Sequence, residues 1–142
     1  MFKVSGGCHC GNILVDLELS QSPDTNAPRA CDCDFCRQHN AAYVSDPRGS
    51  LTIQIKDEHL SGRYRQGSGQ AEFLFCRNCG VLVSVLYQDG ERLYAAVNVK
   101  AVSGGKAFGA EQPVSPKTLS ASGKVKRWQE VWFSSVSIVT AE

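Results

Sequence analysis

The chain has 142 residues, 15 basic and 14 acidic side chains, a formal net charge of +1 and a hydrophobic content of 42%. Such a length suits one domain, spanning residues 1–142, that buries about two-thirds of its unfolded surface. The near-neutral balance excludes a nucleic-acid binder that works by bulk charge, and no apolar run approaches the roughly 20 residues of a membrane span.

Residues 1–10 carry only Lys3 and lack the apolar stretch of a secretory signal, so the expected location is the cytoplasm. Cys8 and Cys10 form a C-x-C pair at the start of the first expected strand, where Ile13, Val15, Leu17 and Leu19 alternate with polar residues. Period two puts both sulfurs on one face and His9 on the other. Gly6, Gly7 and Gly11 let the backbone bend closely around an ion. After a turn-rich loop comes the run Cys31, Cys33, Cys36, with a short helix expected from Asp34 as N-cap, through Phe35, to about His39. Leu51, Ile53 and Ile55 mark a second strand. Gly67-Ser68-Gly69 is a turn and not a phosphate loop, because no Lys-Ser/Thr follows. Phe73 and Phe75 lead into the C-x-x-C pair Cys76 and Cys79, followed by Gly80. Residues 81–87 and 93–99 read as a hairpin around Gln88-Asp89-Gly90. Residues 100–127 contain Lys100, Lys106, Lys117, Lys124, Lys126 and Arg127 against Glu111 alone, which suits either a solvated tail or attraction of a small anion. Trp128, Val131 and Trp132 have helical spacing over a short segment. Trp128, Trp132 and Phe133 read as core, with an aromatic wall beside a ligand as the functional alternative. Val136, Ile138 and Val139 suggest a last strand. The expected class is mainly β, with short helical turns.

The seven cysteines read as metal ligands and not as disulfides. An odd count leaves one thiol over. Alternate residues on a strand lie about 6.6–7 Å apart at Cα, which is awkward for a bond within a C-x-C pair. Clustered thiols in a reducing compartment are more often ligands. A four-plus-three division would give one closed, structural site and one site with an open position. Cys8 and Cys10 can close a site with Cys76 and Cys79; spacing alone equally allows Cys31 and Cys33 to pair with Cys76 and Cys79. Cys36, in the first turn of the expected helix, is placed where the dipole favours thiolate. Three thiolates on Zn²⁺ suit the capture of an exogenous thiolate better than the generation of hydroxide.

Other polar residues near these motifs have both a site role and a surface role open to them. His39 follows Cys36 by three residues and can be a ligand, a donor to a ligand, a proton carrier or a solvent-facing side chain. His9 and His59 read as surface. Asp32 and Asp34 surround the open cluster, and Arg37, Arg63 and Arg65 can clamp a carboxylate or lie in solvent.

The order Gly-Gly-Cys-His-Cys-Gly, then Cys-Asp-Cys-Asp-Phe-Cys-Arg, then Phe-Cys-Arg-Asn-Cys-Gly resembles the glutathione-dependent formaldehyde-activating enzyme (GFA) family, which includes centromere protein V-like domains. The resemblance runs from Gly6 to about Val99. It implies a small β-tent around zinc, with Cys8, Cys10, Cys76 and Cys79 on a structural zinc and Cys31, Cys33 and Cys36 on a catalytic one. It also implies carbon–sulfur lyase chemistry of the S-hydroxymethylglutathione synthase type, joining glutathione or a similar thiol to formaldehyde or another small aldehyde. Asp32 stands where many members carry histidine. The reading from a different class is a non-enzymatic zinc-binding module or carrier of the thiol adduct; neither reading involves nucleic acid or membrane.

Overall fold

The computed structural model describes residues 1–103 and 107–140. It is mainly β, as expected, with eleven strands and two α-helices among the described residues. Four strands, β1 (Phe2–Gly7), β2 (Ile13–Leu19), β5 (Ser50–Ile55) and β11 (Val136–Thr140), form a sheet in the order β1-β2-β5-β11. The other seven are β3 (Arg29–Cys31), β4 (Ala42–Val44), β6 (Ser61–Arg65), β7 (Glu72–Cys76), β8 (Leu82–Asp89), β9 (Arg92–Asn98) and β10 (Gln112–Val114), and they assemble in the order β10-β3-β4-β9-β8-β7-β6. Helix α1 spans Asp34–Gln38 and α2 spans Ala121–Val131. No helix among the described residues is long and apolar enough to cross a membrane.

The alternation read in the sequence sets the small sheet. Ile13, Val15, Leu17 and Leu19 of β2 and Leu51, Ile53 and Ile55 of β5 are all buried, while their neighbours stay more accessible. In antiparallel register Val15 faces Ile53 and Leu17 faces Leu51. This face packs with Leu74, Val83, Ala95, Val97 and Phe133 in one core, which therefore lies between the two sheets. Strand β8 is buried from Leu82 to Leu86 without alternation, because its sheet is covered on both faces.

The second cover is α2. Trp128 and Trp132 pack with Tyr43, Phe73, Leu82, Val85 and Cys36 in a separate cluster on the far face of the large sheet. The helix is longer than its sequence suggests. Ser120 caps it, accepting the Gly123 N–H at 3.1 Å, and its apolar face is anchored by the tryptophans, whose rings stack at 5.0 Å. The expected hairpin is present as β8 and β9, but β8 runs through Gln88 and Asp89. The turn falls at Gly90 and Glu91, where Gly90 has a φ of 58°.

Candidate metal centres and the adjoining cavity

The structure groups the cysteines four and three. The sulfurs of Cys8, Cys10, Cys76 and Cys79 lie within 4.8 Å of one another, and so do those of Cys31, Cys33 and Cys36. Cys31 and Cys33 therefore do not join Cys76 and Cys79.

In the first group, Cys10 Sγ is 3.7 Å from Cys8 Sγ and 3.5 Å from Cys76 Sγ. A tetrahedral zinc with bonds of about 2.3 Å sets sulfurs about 3.8 Å apart, so the donor set fits that ion. Backbone N–H groups point at the sulfurs: Ile13 N donates to Cys8 Sγ at 3.2 Å and Cys79 N to Cys76 Sγ at 3.4 Å. These bonds favour thiolate and orient it. The period-two alternation expected from the sequence is not what brings Cys8 and Cys10 together. They sit in the turn between β1 and β2, where Gly11 N donates to Cys8 O at 3.1 Å and Gly11 takes a φ of 83°. Gly80 has the same φ and closes the opposite turn by donating to Cys76 O at 2.8 Å. The Asn78 side chain and the Asn12 backbone hold the exposed Cys10 thiol down at about 6, whereas burial pushes Cys76 up to about 11.

The second group is local. Cys31 ends β3, Cys33 caps α1 and Cys36 sits in its first turn. The cap is Cys33, whose sulfur accepts the Cys36 N–H at 3.4 Å; Asp34, expected as the cap, is the first helical residue and pairs with Arg37 at 2.8 Å. A hydrogen bond from Cys36 is the largest influence drawing the Cys31 thiol down to about 6, and the same bond, with burial, pushes Cys36 far up. Without a cation Cys31 and Cys36 compete for ionisation; a divalent ion relieves that competition, so the donor set fits one. The Tyr43 hydroxyl lies 3.1 Å from Cys36 Sγ, and burial with the nearby Cys36 sulfur keeps Tyr43 protonated well above its usual range. Gln66 Nε2 donates to Cys33 Sγ at 3.8 Å. No histidine or carboxylate completes this group among the described residues.

The three cysteines open onto a cavity of about 160 Å³ between the large sheet and α2. Its apolar wall comes from Tyr43, Phe73, Val85, Trp128 and Trp132. Its cations are Lys117, Lys124 and Arg127, from the basic segment read in the sequence, and Arg29, which that reading missed. Arg29 and Cys31 are alternate residues of β3, so both point to the cavity side. Burial, with the nearby Arg127 charge, lowers Arg29 to about 10. Arg29 Nη2 donates to Ser45 Oγ at 2.6 Å. Among the described residues no carboxylate pairs with Arg29, Lys124 or Arg127.

The remaining candidates lie elsewhere. Arg63 and Arg65, on the outer strand β6, pair with Glu72 of β7 and do not line the cavity. His39 is exposed with its ring 4.7 Å from Phe35, and His9 and His59 are exposed. Lys100 pairs with Glu111, and Lys106 lies outside the described residues. Asp32 turns towards the C-terminal segment: its N–H donates to Val114 O at 3.1 Å, its Oδ2 accepts from Ser115 Oγ, and Lys117 is 3.7 Å away. Asp32 Oδ1 is buried without a partner.

Residues 3–118 match the glutathione-dependent formaldehyde-activating enzyme family. The fold is similar to a crystal structure of a Rhodobacter sphaeroides protein, 27% identical, with a TM-score of 0.54 over 70% of this chain and 88% of that one. The chain belongs to the glutathione-dependent formaldehyde-activating enzyme family.

Proposed function

We propose that this member of the family is a cytoplasmic carbon–sulfur lyase acting on a thiol–aldehyde adduct, with residues 1–142 as one zinc-binding domain. The carrying observation is the three-sulfur cluster at a cavity wall, with no fourth protein ligand beside it among the described residues. In this reading there are two zinc ions: a structural one held by Cys8, Cys10, Cys76 and Cys79, and a catalytic one held by Cys31, Cys33 and Cys36. When bound at the second site, zinc supplies a Lewis-acid position that holds an exogenous thiol as thiolate near neutral pH.

The chain's own residues do the rest. Tyr43 and Gln66 donate to the cysteine sulfurs, which fixes those side chains and tempers their charge. The apolar wall keeps water from the reacting atoms. Lys117, Lys124, Arg29 and Arg127 attract the carboxylates of a thiol such as glutathione and hold its sulfur end towards the cysteines. The reaction is balanced by the substrates alone. The thiol sulfur bonds to the aldehyde carbon, the carbonyl π pair moves to oxygen, and the proton lost from sulfur ends on that oxygen. Cleavage runs the same steps backwards.

Because uncatalysed addition is fast, the test is an exchange measurement. Saturation-transfer NMR on an equilibrium mixture of glutathione, formaldehyde and their adduct should show exchange accelerated at least tenfold by zinc-loaded protein, and Cys33→Ser should remove the acceleration. Equal exchange with wild type, variant and buffer would leave adduct binding, not catalysis, as the function.

A further inference from the structure

The reading above leaves open what kind of thiol the cavity prefers. Its lining is specific on two counts. Lys117 is 3.7 Å from Asp32, but Arg29, Lys124 and Arg127 have no carboxylate partner among the described residues, and two of them, Arg29 and Arg127, are guanidiniums lining the same cavity. Arg29 is also oriented: Ser45 Oγ takes one of its donors and in turn donates to Val131 O at 2.5 Å, tying the arginine to the end of α2. A held guanidinium fork matches a planar carboxylate, and the second guanidinium lining the cavity adds to its attraction. The cavity also has an aromatic wall, with Trp128 and Trp132 stacked and Phe73 and Tyr43 on the sheet side. Such a wall offers π faces and few hydrogen-bond partners, and Gln66, the amide on the rim, is turned to Cys33. A peptide such as glutathione would leave amide groups unpaired against that surface.

We propose that the cavity prefers a small ligand carrying a carboxylate together with a flat aromatic ring, the carboxylate on Arg29 and Arg127 and the ring against Trp128 and Trp132. Its reactive thiol, or thiol adduct, then points to Cys31, Cys33 and Cys36. This preference rests on the cavity being the working site of the proposed lyase.

The chain has two tryptophans and both line the cavity, so intrinsic fluorescence reports occupancy directly. The zinc-loaded protein is titrated with 4-(mercaptomethyl)benzoate, benzyl mercaptan, 3-mercaptopropionate, glutathione and the sulfur-free 4-methylbenzoate. The expected result is that 4-(mercaptomethyl)benzoate binds at least tenfold more tightly than benzyl mercaptan, 3-mercaptopropionate or glutathione. Arg127→Met, at a half-buried position of α2, should reduce its affinity to that of benzyl mercaptan while leaving benzyl mercaptan within twofold; Arg29→Lys should lose part of the same preference. If glutathione or 3-mercaptopropionate binds as tightly as the aromatic carboxylate thiol, the preference is overturned and the thiol reading stands. If 4-methylbenzoate binds as tightly as its thiol counterpart, the ring and carboxylate preference stands and the thiol reading falls. An unchanged preference in Arg127→Met also overturns the assignment.

Discussion

Replacing Cys79 with serine removes one of four sulfurs that join the turn after β1 to the turn after β7, positions 66 residues apart across the Cys10–Cys76 contact. Structural zinc sites in small peptides supply about 10–16 kcal/mol of apparent folding free energy at pH 7. A domain of this size has a total stability of only about 5–15 kcal/mol. Losing even half of the metal term therefore consumes most of the margin, and Cys79→Ser should be largely unfolded or insoluble at 25 °C. Cys33→Ser is the matched control. Its cluster lies within one segment from Cys31 to Cys36, so little chain is cross-linked, and the serine hydroxyl can still cap α1 in place of the sulfur. We expect a loss of about 1 kcal/mol from imperfect capping, a fall in melting temperature of about 3–5 °C. The assay is far-UV circular dichroism during heating, with zinc per chain measured on the same samples. Equal destabilisation by the two substitutions would refute the assignment of the four-sulfur group as the structural site.

Metal removal should proceed in two steps. Mild chelation is expected to extract one zinc per chain with the far-UV spectrum intact, and only strong chelator or acid the second; a single step, or loss of both with the fold intact, contradicts the division. Gly80→Ala places a methyl group at a φ of 83° with no atom in its way, so backbone strain alone should cost about 1 kcal/mol, read from denaturant midpoints. Asp46→Ala removes the acceptor of the Ser20 N–H and hydroxyl, both at 2.7 Å, and of the Arg48 N–H at 2.9 Å, for an expected loss of about 1–2 kcal/mol on this half-exposed group. Burial works against the Asp46 carboxylate, but those three donors outweigh it and lower its pKa below 3.8. A lowered carboxylate stabilises the fold above its unfolded value, and that stability is lost as pH falls through the folded one. The gap between wild type and Asp46→Ala should thus be constant at neutral pH and close only below pH 3.8. A gap that instead closes between pH 5 and 8 would exclude this carboxylate as its source.

Long, regularly alternating segments were readable from sequence, and the short or tertiary-dependent ones were not. Strands β2 and β5 announce themselves because one face is buried and the other is not, so period two survives in the residue pattern. Strands β3, β4 and β10 have three residues each and cannot display a period. Strand β1 is an outer strand with Phe2 largely exposed, so no apolar face marks it. Helix α2 contains Gly123 and the β-branched Val125 and Val131, which weaken its local preference, and it is held by Trp128 and Trp132 against the sheet. At the site, cysteine spacing carried the grouping only as far as two alternatives, because either pairing of the C-x-C and C-x-x-C units closes four sulfurs. Arg29 left a usable signal: it stands two residues before Cys31, and in an extended segment that places both on one face. Tyr43 and Gln66 left none, since their approach to the sulfurs depends on strand order and on the loop before β7.

Strand β7 ties the two cysteine groups together physically. Leu74 and Cys76 belong to the core between the sheets, whereas Phe73 and Phe75 pack in the cluster on the far face, where Phe73 forms part of the cavity wall. One strand therefore carries a sulfur of the closed group on one side and a wall residue of the open group's cavity on the other. The register with β8, in which Phe73 faces Val85, sets a second wall residue by the same alignment. Fixing Cys76 to Cys8 and Cys10 fixes the end of β7, and with it the place of Phe73 in the cavity wall. The segment from Cys31 to Cys36 contributes nothing to the core between the sheets and meets β7 only on the far face, where the Phe35 ring lies 4.6 Å from that of Phe73. In the proposed reading, the open group exchanges metal and ligand while the closed group holds the end of β7 in place.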